Sequence, residues 1–391
     1  MRGGWRLVVG VVSVIVVILA GVGIAGRSLG WFGSQADPAA SATGVGGAGS
    51  VGLAGCVSQR RQVVGPRADV PEATLPASAV RVLASGLCAP WGLAFLPDGT
   101  ALVTERDTAR ILSVTADGRV SEVQRVSQAR PRGEGGLLGI AVSPDYASDR
   151  WVYIYYLAES DFRIARLHLG EEPEPILTGI PADQDGFHGG GRIGFGPDGR
   201  LYAGTGESYY TRDIAQDPAN LGGKILRITP EGDPAPGNPI AGSPVYSMGH
   251  RHVQGLAWDA QGRLFASEFG EDEVDELNLI EAGRNYGWPT EEGPSDDRRF
   301  TDPIATWAVA EASPSGIAIV GDQVYLACLR GERLYRIGLD GRNRQALGIG
   351  DFGRLRHVAR APDGSLWILT SNRDGRGIPE RDDDRIIRVT L

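Results

Sequence analysis

Cysteine and clustered basic charge are the two things this sequence has least of. Three cysteines in 391 residues are too few for a disulfide-built scaffold or a four-cysteine zinc centre. The 39 basic side chains are outnumbered by 48 acidic ones and form no long run, so phosphate neutralisation cannot supply affinity and no nucleic-acid partner is expected. Amphipathic helical runs are missing as well. Glycine is abundant instead: 57 residues, about twice the usual share of roughly 7%. With 42% hydrophobic residues the chain can bury a core, and the glycines predict tight turns between many short strands.

The N-terminus stands apart from that core. Arg2 and Arg6 precede an apolar run from Leu7 to Ala25 that is long enough to cross a bilayer as a helix. It exceeds the roughly 7–15 apolar residues of a cleaved signal, which favours an uncleaved anchor, with cleavage after Ala25 as the alternative. The charge distribution puts the start in the cytoplasm and the rest outside. Residues 26–55 are Gly, Ala and Ser with almost no charge, a flexible tether. The first 55 residues carry +2 of the chain's net −9, which leaves −11 for residues 56–391. Leu53-Ala-Gly-Cys56 has the form of a lipidation box, but the tether separates it from the apolar run, so a disulfide between Cys56 and Cys88 is the simpler expectation. Cys328, in a strand-like run, reads as a buried free thiol.

From about Arg81 one theme recurs: a strand of small and apolar residues, a Pro-Asp-Gly-like turn, and a second strand ending in a polar loop. It begins at Trp91-Gly-Leu-Ala-Phe-Leu-Pro-Asp-Gly99, and returns at Leu138, Ile193, Gly255, Gly316 and Val358. Six copies imply six hairpins, each needing further strands to bury both faces. Asp98, Asp145 and Asp198 are spaced as four-stranded blades with loops require. The expected fold is all-β, a six-bladed β-propeller preceded by the N-terminal transmembrane or signal helix and its tether.

Ligands bind propellers where loops converge at one mouth of the axis. Three clusters belong there: His188-Gly-Gly-Gly-Arg192, Gly249-His-Arg-His-Val-Gln-Gly255, and Arg354-Leu-Arg356 together with Arg330. Each alone fits a structural role better than a functional one. Together, arginines at recurrent strand ends of an acidic protein predict a positive pocket for an anionic ligand.

Gly135-Gly-Leu-Leu-Gly139 with Ser143-Pro-Asp145, the two histidine clusters, Asp275-Glu-Leu-Asn-Leu-Ile280 and Asn285-Tyr-Gly-Trp-Pro289 occur in an order that resembles the soluble quinoprotein glucose dehydrogenases and aldose sugar dehydrogenases. The resemblance runs from about Pro90 to the C-terminus. It implies a six-bladed propeller that uses pyrroloquinoline quinone (PQQ) and calcium to oxidise the anomeric carbon of aldoses to lactones. By the same resemblance His188 is the catalytic base, Glu207 orients it, and Arg251 stabilises negative charge developing on the quinone. Glu134, Arg251, His252, Arg330, Arg354 and Arg356 contact the cofactor. The carbonyls of Gly270 and Glu271 hold the catalytic calcium, and those of Glu276 and Tyr286 a second, structural one.

Five positions depart from the family pattern: Glu134 replaces Gln, Glu207 Asp, Arg330 Lys, His252 Asn and Glu271 Pro. Glu134 matters most, because a carboxylate beside an anionic cofactor is repulsive unless a cation or proton intervenes. The expected function is therefore a membrane-tethered, extracytoplasmic sugar dehydrogenase passing electrons to an acceptor in the membrane or envelope. The alternatives are a cofactor-less propeller serving as a cell-surface binding module, favoured by Glu134, and a metal-dependent lactone hydrolase, which the basic clusters fit poorly. Residues 208–217 and 291–299 are expected to line the sugar pocket.

Overall fold

The computed structural model describes residues 70–349 and 351–391. The apolar segment 1–25, the tether 26–55 and Cys56 lie outside them. Among the described residues no helix is long and apolar enough to cross a membrane. Cys88 is disulfide-bonded, and Cys328 is a buried free thiol as expected.

The repeated turn reverses the chain by local chemistry. Asp98 Oδ1 accepts the Thr100 N–H at 2.9 Å, and the Gly99 N–H donates to the Leu96 carbonyl at 2.9 Å. Gly99 sits at φ +86° with open space where a Cβ would be, so backbone conformation alone selects glycine there. The second copy departs from this: after Asp145 a single helical turn, Tyr146–Asp149, separates the two strands.

Six sheets follow. Blade 1 runs outward from the axis through Pro90–Phe95, Ala101–Glu105, Arg110–Val114 and Val120–Arg125. Blade 2 is Leu137–Val142, Val152–Leu157, Asp161–Leu167 and Glu174–Pro181. Blade 3 is Gly190–Phe195, Leu201–Thr205, Lys224–Ile228 and Val245–Met248. Blade 4 is Val253–Trp258, Leu264–Glu268, Val274–Ile280 and Ala305–Ala308. Blade 5 is Pro314–Val320, Gln323–Cys328, Arg333–Gly338 and Gln345–Gly348. Blade 6 takes three strands, Leu355–Arg360, Leu366–Thr370 and Ile386–Val389, from the end of the chain. Its fourth comes from the start: Val80–Ala84 pairs antiparallel with Ile386–Val389. Just before it, Glu72–Thr74 adds a fifth, parallel strand to the edge of blade 5.

Burial follows the radius. The second strand is buried along its whole length in five blades, whereas Val120–Arg125 at the rim has no buried residue. Apolar side chains fill the wedges between blades, as where Trp91, Leu138, Tyr155, Phe162 and Leu201 meet. Each large side chain so buried contributes roughly 1.5–3 kcal/mol.

Candidate active site

Strand direction decides where the functional residues go. Pro-Asp-Gly turns join first to second strands at one end of the axis. The loops after each second strand, and those leading into the next blade, therefore share the other end. His188, Arg251 and His252 precede first strands, Glu134 precedes blade 2, and Arg354 and Arg356 lie at the start of the first strand of blade 6. Glu207, Gly270, Glu271 and Arg330 all follow second strands. The topology brings these predicted residues to one mouth.

His188 Nδ1 lies 2.6 Å from Glu207 Oε1, and the Glu207 side chain is buried. A carboxylate on Nδ1 fixes the tautomer and leaves Nε2 as the acceptor. Nε2 has no protein partner among the described residues. The histidine backbone has φ +48°, unusual for a residue with a side chain. Its loop is held from below, where Tyr155 donates its hydroxyl to the Gly189 carbonyl at 2.7 Å. Glu207 is held in turn by its N–H, which donates to the Arg251 carbonyl at 2.9 Å. The Arg251 guanidinium faces the Trp288 ring at 5.3 Å, and its Nε, 3.9 Å from Glu207 Oε1, makes no hydrogen bond among the described residues.

The Gly-His-Arg-His cluster divides into two roles. His250 is fully buried between Glu268 at 2.9 Å and Ser247 at 2.8 Å, a structural position. His252 faces the axis with its ring centroid 5.0 Å from that of His188. Gln254 Oε1 accepts from Arg356 Nη1 at 3.0 Å, which turns its amide nitrogen toward His252 Nε2 at 2.7 Å. Burial above all, with His188, Arg251 and Arg356 nearby, holds His252 well below the ordinary histidine range, so it is neutral.

Beside this centre opens a cleft whose lining includes Arg106, Arg330, Arg354, Arg356 and Arg376 against two carboxylates, Glu134 and Asp374. Asp107, next to the cleft, takes up part of the charge of Arg106. Asp374 sits between Arg354 at 3.2 Å and Arg356 at 3.3 Å. Burial would raise its pKa, but Arg354, Arg356 and Arg106 override that and bring it down to about 2. Burial draws Arg356 down to about 10. Buried Nε atoms of Arg330 and Arg356 have no hydrogen-bond partner among the described residues. Glu134 is ionised: burial opposes this, but Arg376 at 2.6 Å, with His252, His188 and Arg356 beyond it, pulls it well below the usual carboxylate range.

Arg376, Asp374 and Arg106 are members of the cleft that the sequence reading missed. They carry a signal nonetheless, since each follows the second strand of its blade, as Glu207 and Arg330 do.

The two predicted calcium positions converge. Gly270, Glu276 and Tyr286 line one small cavity with Glu268 and Glu292. Among the described residues no backbone N–H donates to the carbonyls of Gly270 and Glu271, while their own N–H groups are held by Asp275 at 3.0 Å and Glu292 at 2.7 Å. The Glu271 carboxylate turns away to Arg212 at 2.6 Å. The Glu276 carboxyl, bonded to Gly293 N and Asn278, is pushed up to about 8 by burial and by Glu268. No cluster of three or more His, Cys, Asp or Glu side chains suited to a metal occurs among the described residues, so the candidate ligands here are main-chain oxygens.

Residues 87–385 match the family described as Glucose / Sorbosone dehydrogenase. The chain belongs to that family. It is an oxidoreductase, and several of its relatives are named as sugar dehydrogenases. A PQQ-bound aldose sugar dehydrogenase from Streptomyces coelicolor is 53% identical, with a TM-score of 0.76 over 80% of this chain and 98% of the other. The aldose sugar dehydrogenase YliI of Escherichia coli is 28% identical over 76% of this dehydrogenase and 91% of its own length. The quinoprotein glucose dehydrogenase B of Acinetobacter calcoaceticus is 32% identical over 56% and 54%.

Proposed function

We propose that the protein oxidises aldoses at the anomeric carbon to the lactone, with PQQ as cofactor and calcium beside it. The observation that carries this is the adjacency of a His188–Glu207 pair to a cleft with five arginines and two carboxylates. Even with Asp107 paired to Arg106, arginines outnumber carboxylates in and beside the cleft, which suits a polycarboxylate, and the Nε atoms of Arg330 and Arg356, partnerless among the described residues, suit an anionic occupant. When bound, PQQ supplies the two-electron acceptor for hydride at a quinone carbonyl polarised by calcium.

The chain's own residues do the rest. Arg330, Arg354 and Arg356 hold the carboxylates, and neutral His252 with Gln254 closes the cleft toward His188. His188 Nε2 takes the proton of the anomeric hydroxyl while the anomeric hydrogen leaves with its electron pair, and Glu207 stabilises the imidazolium through Nδ1–H. Arg251 offers its unused Nε–H to oxygen charge that grows during the transfer. The open carbonyls of Gly270 and Glu271 offer a hard cation oxygen ligands. Glu134, the feature that favours a cofactor-less propeller, has Arg376 as its counter-charge.

The same proposal places the propeller outside the cytoplasm, tethered through residues 1–25, with electrons passing to a membrane or envelope acceptor. Loading with PQQ and calcium should give aldose-dependent dye reduction that His188→Ala lowers at least 100-fold while PQQ binding persists. An unaltered rate in that variant, or failure to bind PQQ with calcium present, would overturn the reading.

A further inference from the structure

Two large aromatics stand exposed directly after Glu207. Ser208 takes a left-handed conformation at φ +59°, and the Thr211 N–H donates to its carbonyl at 2.9 Å, so the chain turns tightly with Tyr209 and Tyr210 at the apex. They are 42% and 59% exposed. The Tyr209 ring meets His188 edge-on, centroids 4.9 Å apart at 82°, and Tyr210 meets Tyr209 edge-on at 5.0 Å and 85°. Phe187 backs Tyr209 at 6.0 Å. A row of aromatic rings thus leads outward from the base.

The row is fixed before any ligand arrives. The Tyr210 hydroxyl donates to Asp185 Oδ2 at 2.9 Å, and Asp185 is itself placed by its N–H, which donates to Asp183 Oδ1 at 2.9 Å. The two loops that carry Glu207 and His188 are tied together at their tips by this bond. Neither tyrosine lines the arginine cleft, so the cofactor does not account for their exposure. A rigid aromatic ring with a hydrogen-bonding rim complements a pyranose, which has a flat C–H face edged by hydroxyls, and its order costs little further entropy on binding.

We infer that Tyr209 and Tyr210 form a platform for the second ring of a reducing disaccharide, one ring beyond the sugar at His188. The inference rests on the proposed reaction at His188 and adds the substrate class: short oligosaccharides in preference to the free monosaccharide. Tyr210 carries the preference, because Tyr209 also supports the histidine.

The test compares kcat/KM for glucose, maltose and cellobiose in the PQQ- and calcium-loaded enzyme. Tyr210→Ala should lower the value for the better disaccharide about tenfold and leave glucose within twofold, while Tyr210→Phe, which keeps the ring, should retain the disaccharide advantage. Equal loss on both sugars, or no loss on either, overturns the platform. A second readout separates it from the chemistry: maltitol and cellobiitol, which have no anomeric hydroxyl on the terminal unit, are titrated against the full-length protein by saturation-transfer NMR. Binding of either that weakens about tenfold in Tyr210→Ala supports the platform even if no sugar is oxidised. Binding of neither, or binding that the variant does not change, overturns it.

Discussion

Arg376 Nη2 lies 2.6 Å from Glu134 Oε1, joining the last blade to the loop before the second. The carboxylate that replaces an uncharged residue of the family pattern thus comes with its own cation, and the pair adds no net charge to the cleft. Arg376→Ala should expose the Glu134 charge and weaken PQQ binding at least tenfold. Glu134→Gln alone should change it less than twofold, and the double variant should match Glu134→Gln, because Arg376 is needed only while position 134 carries a charge. A titration cycle of the four proteins checks the coupling. Additive effects would mean that the two residues act independently.

Gly206 and His188 are related by space. A Cβ at position 206 would sit 1.7 Å from the His188 carbonyl oxygen, so any side chain there must push the base away. Gly206→Ala is expected to cost about 100-fold in kcat, as small displacements of reacting groups do, while PQQ affinity changes less than threefold. Single-turnover reduction of the bound cofactor by sugar is the measurement that separates the two.

Asp374 makes the propeller acid-sensitive. Its folded pKa of about 2 lies below the ordinary 3.8, so its contribution is complete above about pH 4 and is lost as pH falls through about 2. That contribution is about 2 kcal/mol by linkage. Asp374→Asn should be less stable at pH 7, with Arg354 and Arg356 left unpaired, and should show a flatter decline between pH 4 and 2. Urea unfolding at several pH values tests both halves of that statement.

Lys224 is the chain's only lysine and its side chain is fully buried. Its Nζ donates to the carbonyls of Ile214 at 2.8 Å, Ala215 at 3.0 Å and Gly222 at 2.6 Å, which pins the loop that begins at Glu207. Native protein should resist amine-reactive labelling at this residue and take up label on unfolding, as mass spectrometry of the tryptic peptides can show. Lys224→Met leaves three carbonyls unsatisfied and should destabilise the fold by about 3 kcal/mol or more.

The blades were legible because their turns are local: Leu96 to Thr100 contains every group that reverses the chain. Charge in the cleft was legible only in part. Arg106 donates to the Asp374 carbonyl at 3.1 Å across 268 residues, a partnership that only ring closure creates. The two histidines of Gly249-His-Arg-His252 look equivalent in sequence, yet His250 bonds Glu268 in the interior while His252 turns to the axis. Which of them faces the site depends on the partners waiting on the neighbouring strand. The helical turn at Tyr146 and the strands Glu72–Thr74 and Val80–Ala84 were not legible either, because the repeat motif covers only the inner hairpin of each blade.

Those two early strands also set the order of events during synthesis. Val80–Ala84 emerges early and has no antiparallel partner in its sheet until Ile386–Val389 has been made. For the time it takes to translate some three hundred residues it is an unpaired edge, open to other chains. The last strand made therefore acts as the catch that completes the ring, and the early strand must wait until it arrives.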